Sequence, residues 1–128
     1  MEPTNVGVVE DAWAAWERRD WDWMIAHAHP DCEIAQPPQL PDASTYRGHQ
    51  GLLEAFRDWP EQWDEFRPEL LEVTELNPNQ VLALTSQHLR ARDIAMDQEV
   101  AFLLTLRDGK LERWEMFLTE AEALEAAD

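Results

Sequence analysis

Basic residues are scarce in this chain. Ten Lys and Arg stand against 27 Asp and Glu, for a formal net charge of −17. Nucleic-acid binding needs a basic footprint that displaces counterions from phosphates, and anionic lipid needs a similar patch; the composition offers neither. Cysteine is nearly absent. Cys32 is the single one, so no internal disulfide can form and a reducing compartment is natural. Glycines number only four, and none falls in a phosphate-cradling pattern. No apolar run approaches the roughly 20 residues of a membrane-spanning helix. The first residues lack the basic-then-apolar signature of a signal peptide. Together these absences predict a cytoplasmic protein that binds neither nucleic acid nor membrane, with an acidity that serves solubility.

What is present is apolar bulk. Hydrophobic residues make up 45% of 128 residues, enough for one domain, 1–128, with one core. Seven are tryptophans. Such rings bury much area each and can dominate a core or a pocket wall.

Spacing along the chain predicts an α+β order, with helices first and strands later. Val6, Val9, Trp13 and Trp16 lie three and four apart, as on one helix stripe, with Thr4 or Asn5 as cap. Asp20 can cap a short second helix through Trp21, Met24 and Ile25, which breaks at His29-Pro30. Cys32, Ile34 and Gln36 alternate with Glu33 and Ala35, as on a strand. A third helix carries Leu52, Leu53, Phe56, Trp59 and Trp63, kinked or interrupted by Pro60. Four strands follow, at about Pro68–Leu76, Val81–Arg92, Met96–Arg107 and Lys110–Leu118. Thr119 with Glu122 then forms a capping box for a final helix, Glu120–Ala127.

Period-two alternation sorts the strand faces. Val81, Ala83, Thr85, Gln87 and Leu89 form the inward row of one strand, and Val100, Phe102, Leu104 and Leu106 that of the next, so that the two rows meet on one face. A turn at Asp93-Ile94 sets Gln87 opposite Val100 and Thr85 opposite Phe102. It pairs His88 with Glu99 and Arg90 with Asp97 on the outer side. For the next hairpin, a two-residue Asp108-Gly109 turn would drive Arg113 and Glu115 inward. A three-residue loop, Arg107-Asp108-Gly109, sets Phe102 opposite Trp114 and Val100 opposite Met116. It is preferred because burying two unpaired charges costs several kcal/mol.

Other constellations carry little chemistry. His27 and His29 lie beside Asp31 and Cys32, but a two-residue spacing at a helix end points side chains apart, so no metal is expected. Cys32 belongs to an inward row without an activating base and reads as packing. His49 starts the third helix and is expected at the surface.

Three stretches carry a resemblance: "HPDCEI" after the short helix, "YRGHQGLLEAF", and the closing "FLLTLRDGKLERWEMFLTEAEALEA". Over nearly the whole chain the sequence resembles the SnoaL-like group of the nuclear transport factor 2 (ketosteroid isomerase-like) superfamily. That resemblance implies a cone-shaped fold, with a curved, mainly antiparallel sheet wrapped around N-terminal helices and an internal cavity. It implies no cofactor and no metal. In the ketosteroid isomerase branch an aspartate base and an oxyanion hole of tyrosine and protonated aspartate do the chemistry. The matching positions here carry Gln36, a residue near Ala12 and Trp13, and Phe102, so that chemistry is not expected. SnoaL-like cyclases imply a cavity acid with a histidine. His88 and Glu99 are the catalytic candidates of that kind, should the register bring them inward; the other reading is a structural cross-strand pair.

A curved sheet under few helices leaves space. The candidate cavity is formed by Trp13, Trp16, Phe56, Trp59, Val100, Phe102, Trp114 and Met116, with Gln36, Tyr46, Thr85 and Gln87 as its polar members. The expected occupant is a small hydrophobic molecule, cyclic or polyketide-like. The protein either isomerises, cyclises or hydrates it without a cofactor, or binds it without chemistry as a ligand-binding or dimeric association module. The resemblance further implies a homodimer through the outer sheet face, here Leu82, Leu84, Ala101 and Leu103.

Overall fold

A computed structural model describes residues 4–37, 39, 45–58 and 60–127. Helix α1 spans Asn5–Glu17, and Thr4 caps it by accepting the Gly7 N–H at 3.0 Å. Its buried members are Val8, Val9, Ala12, Trp13, Ala15 and Trp16. Asp20 caps α2, Trp21–Ala26, through the Trp23 N–H, and that bond holds its carboxyl below the ordinary range. Strand β1, Ala28–Ala35, begins earlier than alternation alone indicated and takes in Pro30. Tyr46 lies in a short strand β2, Thr45–Arg47, paired antiparallel with β1.

The third helix is shorter than its apolar pattern suggests. Helix α3, Gly48–Leu53, widens into a π turn at Glu54–Asp58, and a 3₁₀ turn follows at Pro60–Gln62. Pro60 explains the break. It has no N–H for the Phe56 carbonyl four residues back. The Trp16 indole donates to that carbonyl instead, at 3.0 Å in a buried setting.

The sheet is open and mixed, with strand order β2-β1-β6-β5-β4-β3. Strands β3 (Glu65–Asn77), β4 (Gln80–Ala91), β5 (Ile94–Arg107) and β6 (Lys110–Phe117) are antiparallel neighbours, and β6 runs parallel to β1. Pro68 sits on β3, the edge strand, where a missing ladder donor is tolerated.

Both predicted registers need correction, and both keep their faces. The first hairpin turns at Arg92-Asp93, so Thr85 lies opposite Val100 and Gln87 opposite Gln98. Arg92 has φ +56°, and its N–H is held by Asp64 at 2.6 Å, which centres the turn there. The slip is two positions, so no side chain changes face. His88 now meets Asp97 and Arg90 meets Ala95; Glu99 meets Ser86.

The second hairpin uses the two-residue turn that charge burial argued against. Arg107 pairs with Lys110, and Asp108 and Gly109 both take positive φ. A bulge then corrects the parity. Leu106 opposes Leu111 while Thr105 opposes Arg113, leaving Glu112 as the extra residue. Trp114 and Met116 return to the inner face, opposite Leu104 and Phe102.

Helices α1 to α3 share a core with the inner face of the sheet. Helix α4, Glu120–Ala126, is capped by Thr119 and crosses the other face. The apolar row expected there to serve a homodimer is covered by this chain itself. Leu82, Ala101 and Ala123 form a second buried cluster with Leu76, Leu84 and Phe117 around it, and Leu103 is also fully buried. Beyond α4 the outer face is ionic. His88 Nδ1 meets Asp97 at 2.5 Å and Arg90 meets Glu65 at 3.2 Å. Asp97, then Glu69, raises the His88 pKa above its ordinary 6.5. No helix of the described residues is long and apolar enough to cross a membrane.

Three outcomes follow from this packing. Ala123→Glu places a carboxylate in the fully buried cluster under α4 and should lower the urea-unfolding free energy by about 2–4 kcal/mol. Trp16→Phe leaves the Phe56 carbonyl without its donor and should cost about 1–3 kcal/mol in the same assay. The His88 contribution is fully present below pH 6.5 and is lost as pH rises through the raised folded-state value. Wild type should therefore lose urea stability relative to His88→Gln as pH climbs past 6.5; parallel midpoints across that series would contradict the ion pair.

Candidate functional site

An apolar cavity of about 220 Å³ opens between the helices and the inner sheet face. Each side reflects a local feature of the chain. Trp16 comes from the last turn of α1, and Ala55 and Phe56 come from the π turn. Trp63 and Phe66 close the approach to β3. Ile34 and Ala35 end β1, and Gln36 and Pro37 follow it, beside Tyr46 of β2. The floor is the inner row of the sheet: Gln87 and Leu89 of β4, Met96, Gln98 and Phe102 of β5, then Met116 and Leu118. Met96, 44% exposed, marks the open side.

Seven of the residues singled out from sequence line this space: Trp16, Gln36, Tyr46, Phe56, Gln87, Phe102 and Met116. Four do not. Trp13 and Trp114 are 1% and 2% exposed and form the aromatic core behind the wall. Trp114 packs against Phe56 with ring centroids 4.5 Å apart and against Phe102 at 5.6 Å; Trp13 lies 5.0 Å from Trp16. Neither indole N–H of that pair has a hydrogen-bond partner among the described residues. Thr85 and Val100 are consumed by each other, the Thr85 hydroxyl donating to the Val100 carbonyl at 2.8 Å. Trp59 lies outside the described residues.

The sequence reasoning missed Gln98, Leu89 and Met96 as wall residues, although the signal was there. Leu89 already stood in the inward row of β4. The β5 row, continued backwards by twos from Val100, reaches Gln98 and Met96. Phe66 and Ala55 had no such signal, because their placement depends on the π turn and the earlier start of β3.

His88 and Glu99 do not enter the cavity. Both stand on the outer face, as the unshifted parity requires. His88 is held by Asp97 and Glu69, and Glu99 borders a separate hollow with Glu72 and Glu120. The other histidines are occupied by backbone. His27 Nδ1 meets Trp23 O at 2.8 Å, His29 Nε2 meets Arg107 O at 2.8 Å, and His49 Nε2 meets Ala28 O at 3.0 Å. No group of three or more His, Cys, Asp or Glu that could hold a metal occurs among the described residues. Burial pushes the Cys32 thiol pKa up, with Asp31 adding to it, so the thiolate is disfavoured.

The cavity wall is thus chemically narrow. Its polar side chains are three amides, Gln36, Gln87 and Gln98, and the phenol of Tyr46, set among aromatic and aliphatic groups. The Trp16 N–H is already used by the Phe56 carbonyl. No carboxylate, imidazole, amine, guanidinium or thiol lines it among the described residues.

This architecture is shared. An NTF2-like protein from Burkholderia thailandensis E264 is 26% identical, with a TM-score of 0.81 over 96% of this chain and 98% of that one. TerC, crystallised with polyporic acid, is 22% identical, with a TM-score of 0.77 over 94% and 95%. A Sinorhizobium meliloti protein proposed to be a polyketide cyclase is 17% identical, with a TM-score of 0.69 over 85% and 92%. Among curated proteins none matches the chain. The SnoaL-like domain family matches residues 9–114, most of the chain. With helices on the inner face of an open six-stranded mixed sheet and that match over its length, the chain belongs to the SnoaL-like domain family of NTF2-like proteins.

Proposed function

We propose that this chain binds a small, neutral, hydrophobic molecule, cyclic or polyketide-like, in the cavity and does not transform it by acid–base catalysis. The observation that carries this reading is the composition of the wall. General acid–base chemistry needs a titratable group within hydrogen-bond reach of the reacting atoms. Tyr46 is the only such group among the described lining residues, and no base lines the cavity with it. Isomerisation, cyclisation or hydration through His88 and Glu99 loses its support, because both side chains face away from the cavity.

The wall suits binding instead. Large rings supply apolar contact, and a few amides orient a carbonyl or hydroxyl. The volume is below the roughly 300–1,000 Å³ of pockets for drug-sized ligands, so the occupant is small, on the order of two fused rings. Two proteins of the same fold support a small-molecule reading: TerC was crystallised with polyporic acid, and the Sinorhizobium protein is thought to be a polyketide cyclase.

Naphthalene and 1-tetralone are suitable probes, both neutral and of two fused rings, read by thermal shift and by tryptophan fluorescence, since Trp16 and Trp63 line the space. Saturable binding of at least one is expected. A ligand at a hundred times its Kd should stabilise the fold by about 2.7 kcal/mol. Phe56→Ala should weaken binding about tenfold or more, and His88→Gln should leave it within about twofold. Absence of any shift with either probe, or loss of binding in His88→Gln, would remove the cavity from consideration as the site.

A further inference from the structure

We propose that Gln87 and Gln98 form a paired-amide subsite that selects a ligand carrying a hydrogen-bond acceptor and a donor on neighbouring atoms, as in a lactam or a ketone with an adjacent hydroxyl. This rests on the cavity-binding reading above and specifies what the cavity recognises.

The two residues are direct cross-strand partners on the inner face, and both line the cavity. Gln87 is only 2% exposed. Nevertheless, no described residue hydrogen-bonds either amide. Side-chain amides in a largely buried wall normally find protein partners; neither of these is a buried unsatisfied group, so their polar atoms stay accessible from the cavity they line. The neighbours explain why the protein supplies none. On the β3 side Gln87 lies opposite Pro68, whose side chain can neither donate nor accept. On the other side of Gln98 the β6 ladder has ended, its last pair being Phe117 with Ala101. Leu89, Met96 and Phe102, which line the cavity from the same two strands, are apolar.

The geometry suits a two-point contact. Opposed residues of an antiparallel pair have Cβ atoms about 4.5–5.5 Å apart, so two flexible amides can meet neighbouring atoms of one ligand. One amide N–H donates to the ligand carbonyl, and the other amide carbonyl accepts the ligand N–H or O–H. Each amide offers both functions, so the roles are exchangeable. An ion is disfavoured. No charged side chain lines the cavity among the described residues to compensate a carboxylate or an ammonium.

Three probes of matched shape test the pair: naphthalene, 2-quinolinone and N-methyl-2-quinolinone, titrated into wild type, Gln87→Leu and Gln98→Leu. Each leucine variant should weaken 2-quinolinone about tenfold, and naphthalene should stay within about twofold or tighten. Methylation of the lactam nitrogen should cost wild type a similar factor and cost the variants little. Naphthalene binding doubles as the report that each variant is folded with its cavity intact. If 2-quinolinone binds both variants as it binds wild type while naphthalene also binds, the amide pair is not a recognition element and only the broader cavity reading stands. If none of the three probes binds wild type, the cavity reading itself falls, and the subsite with it.

Discussion

The bulge between Thr105 and Leu106 of β5, opposite the extra residue Glu112 of β6, is the constraint on which the inner face depends. The Asp108-Gly109 turn pairs Arg107 with Lys110. Continued without correction, that register would point Arg113 and Glu115 into the helices and Trp114 into solvent. Side chains alternate with a period of two, so one extra residue reverses the parity of everything beyond it. Trp114 is thereby placed against Phe56, Phe102 and Trp16, and Met116 against the cavity. Arg113 remains outside, near Glu33 and Glu115.

A second substitution of one group for another shapes the opposite wall. Pro60 ends the third helix by withholding a donor, and the Trp16 indole supplies it from α1. The bond ties α1 to the π turn where Ala55 and Phe56 meet the cavity. The aromatic cluster therefore does more than fill volume. Its inner members, Trp13 and Trp114, close the core, while Trp16 and Phe56 face both core and cavity. What the rings leave open is largely apolar and, among the described residues, nearly without titratable groups. Charge is abundant in the chain, but no charged side chain is buried among the described residues.

Much of the fold was legible. Caps at Thr4, Asp20 and Thr119 lie where the residue types placed them, because an N-cap is a local bond. The inward rows of β4 and β5 were also legible, since alternation is local. The pairing of those rows was not. Arg92 adopts its positive φ with help from Asp64, 28 residues earlier, and no local pattern reports such a partner. The charge argument against the two-residue turn at Asp108-Gly109 named the right physical cost. It chose the wrong remedy, because a bulge is as effective as a longer loop in keeping Arg113 out.

The sequence by itself determined the class of fold, the inward rows of β4 and β5, and the family to which the chain belongs. Fold class and faces follow from period, capping chemistry and composition, which are properties of neighbouring residues; the family follows from the resemblance carried by three stretches of the chain. Tertiary structure decided which aromatic rings form core and which form wall, and it separated His88 and Glu99 from the cavity. It also turned α4 over the apolar outer face, burying Leu82, Ala101 and Leu103 within one chain. Each of these outcomes depends on contacts between segments far apart in the chain, where a shift of one residue exchanges inside for outside.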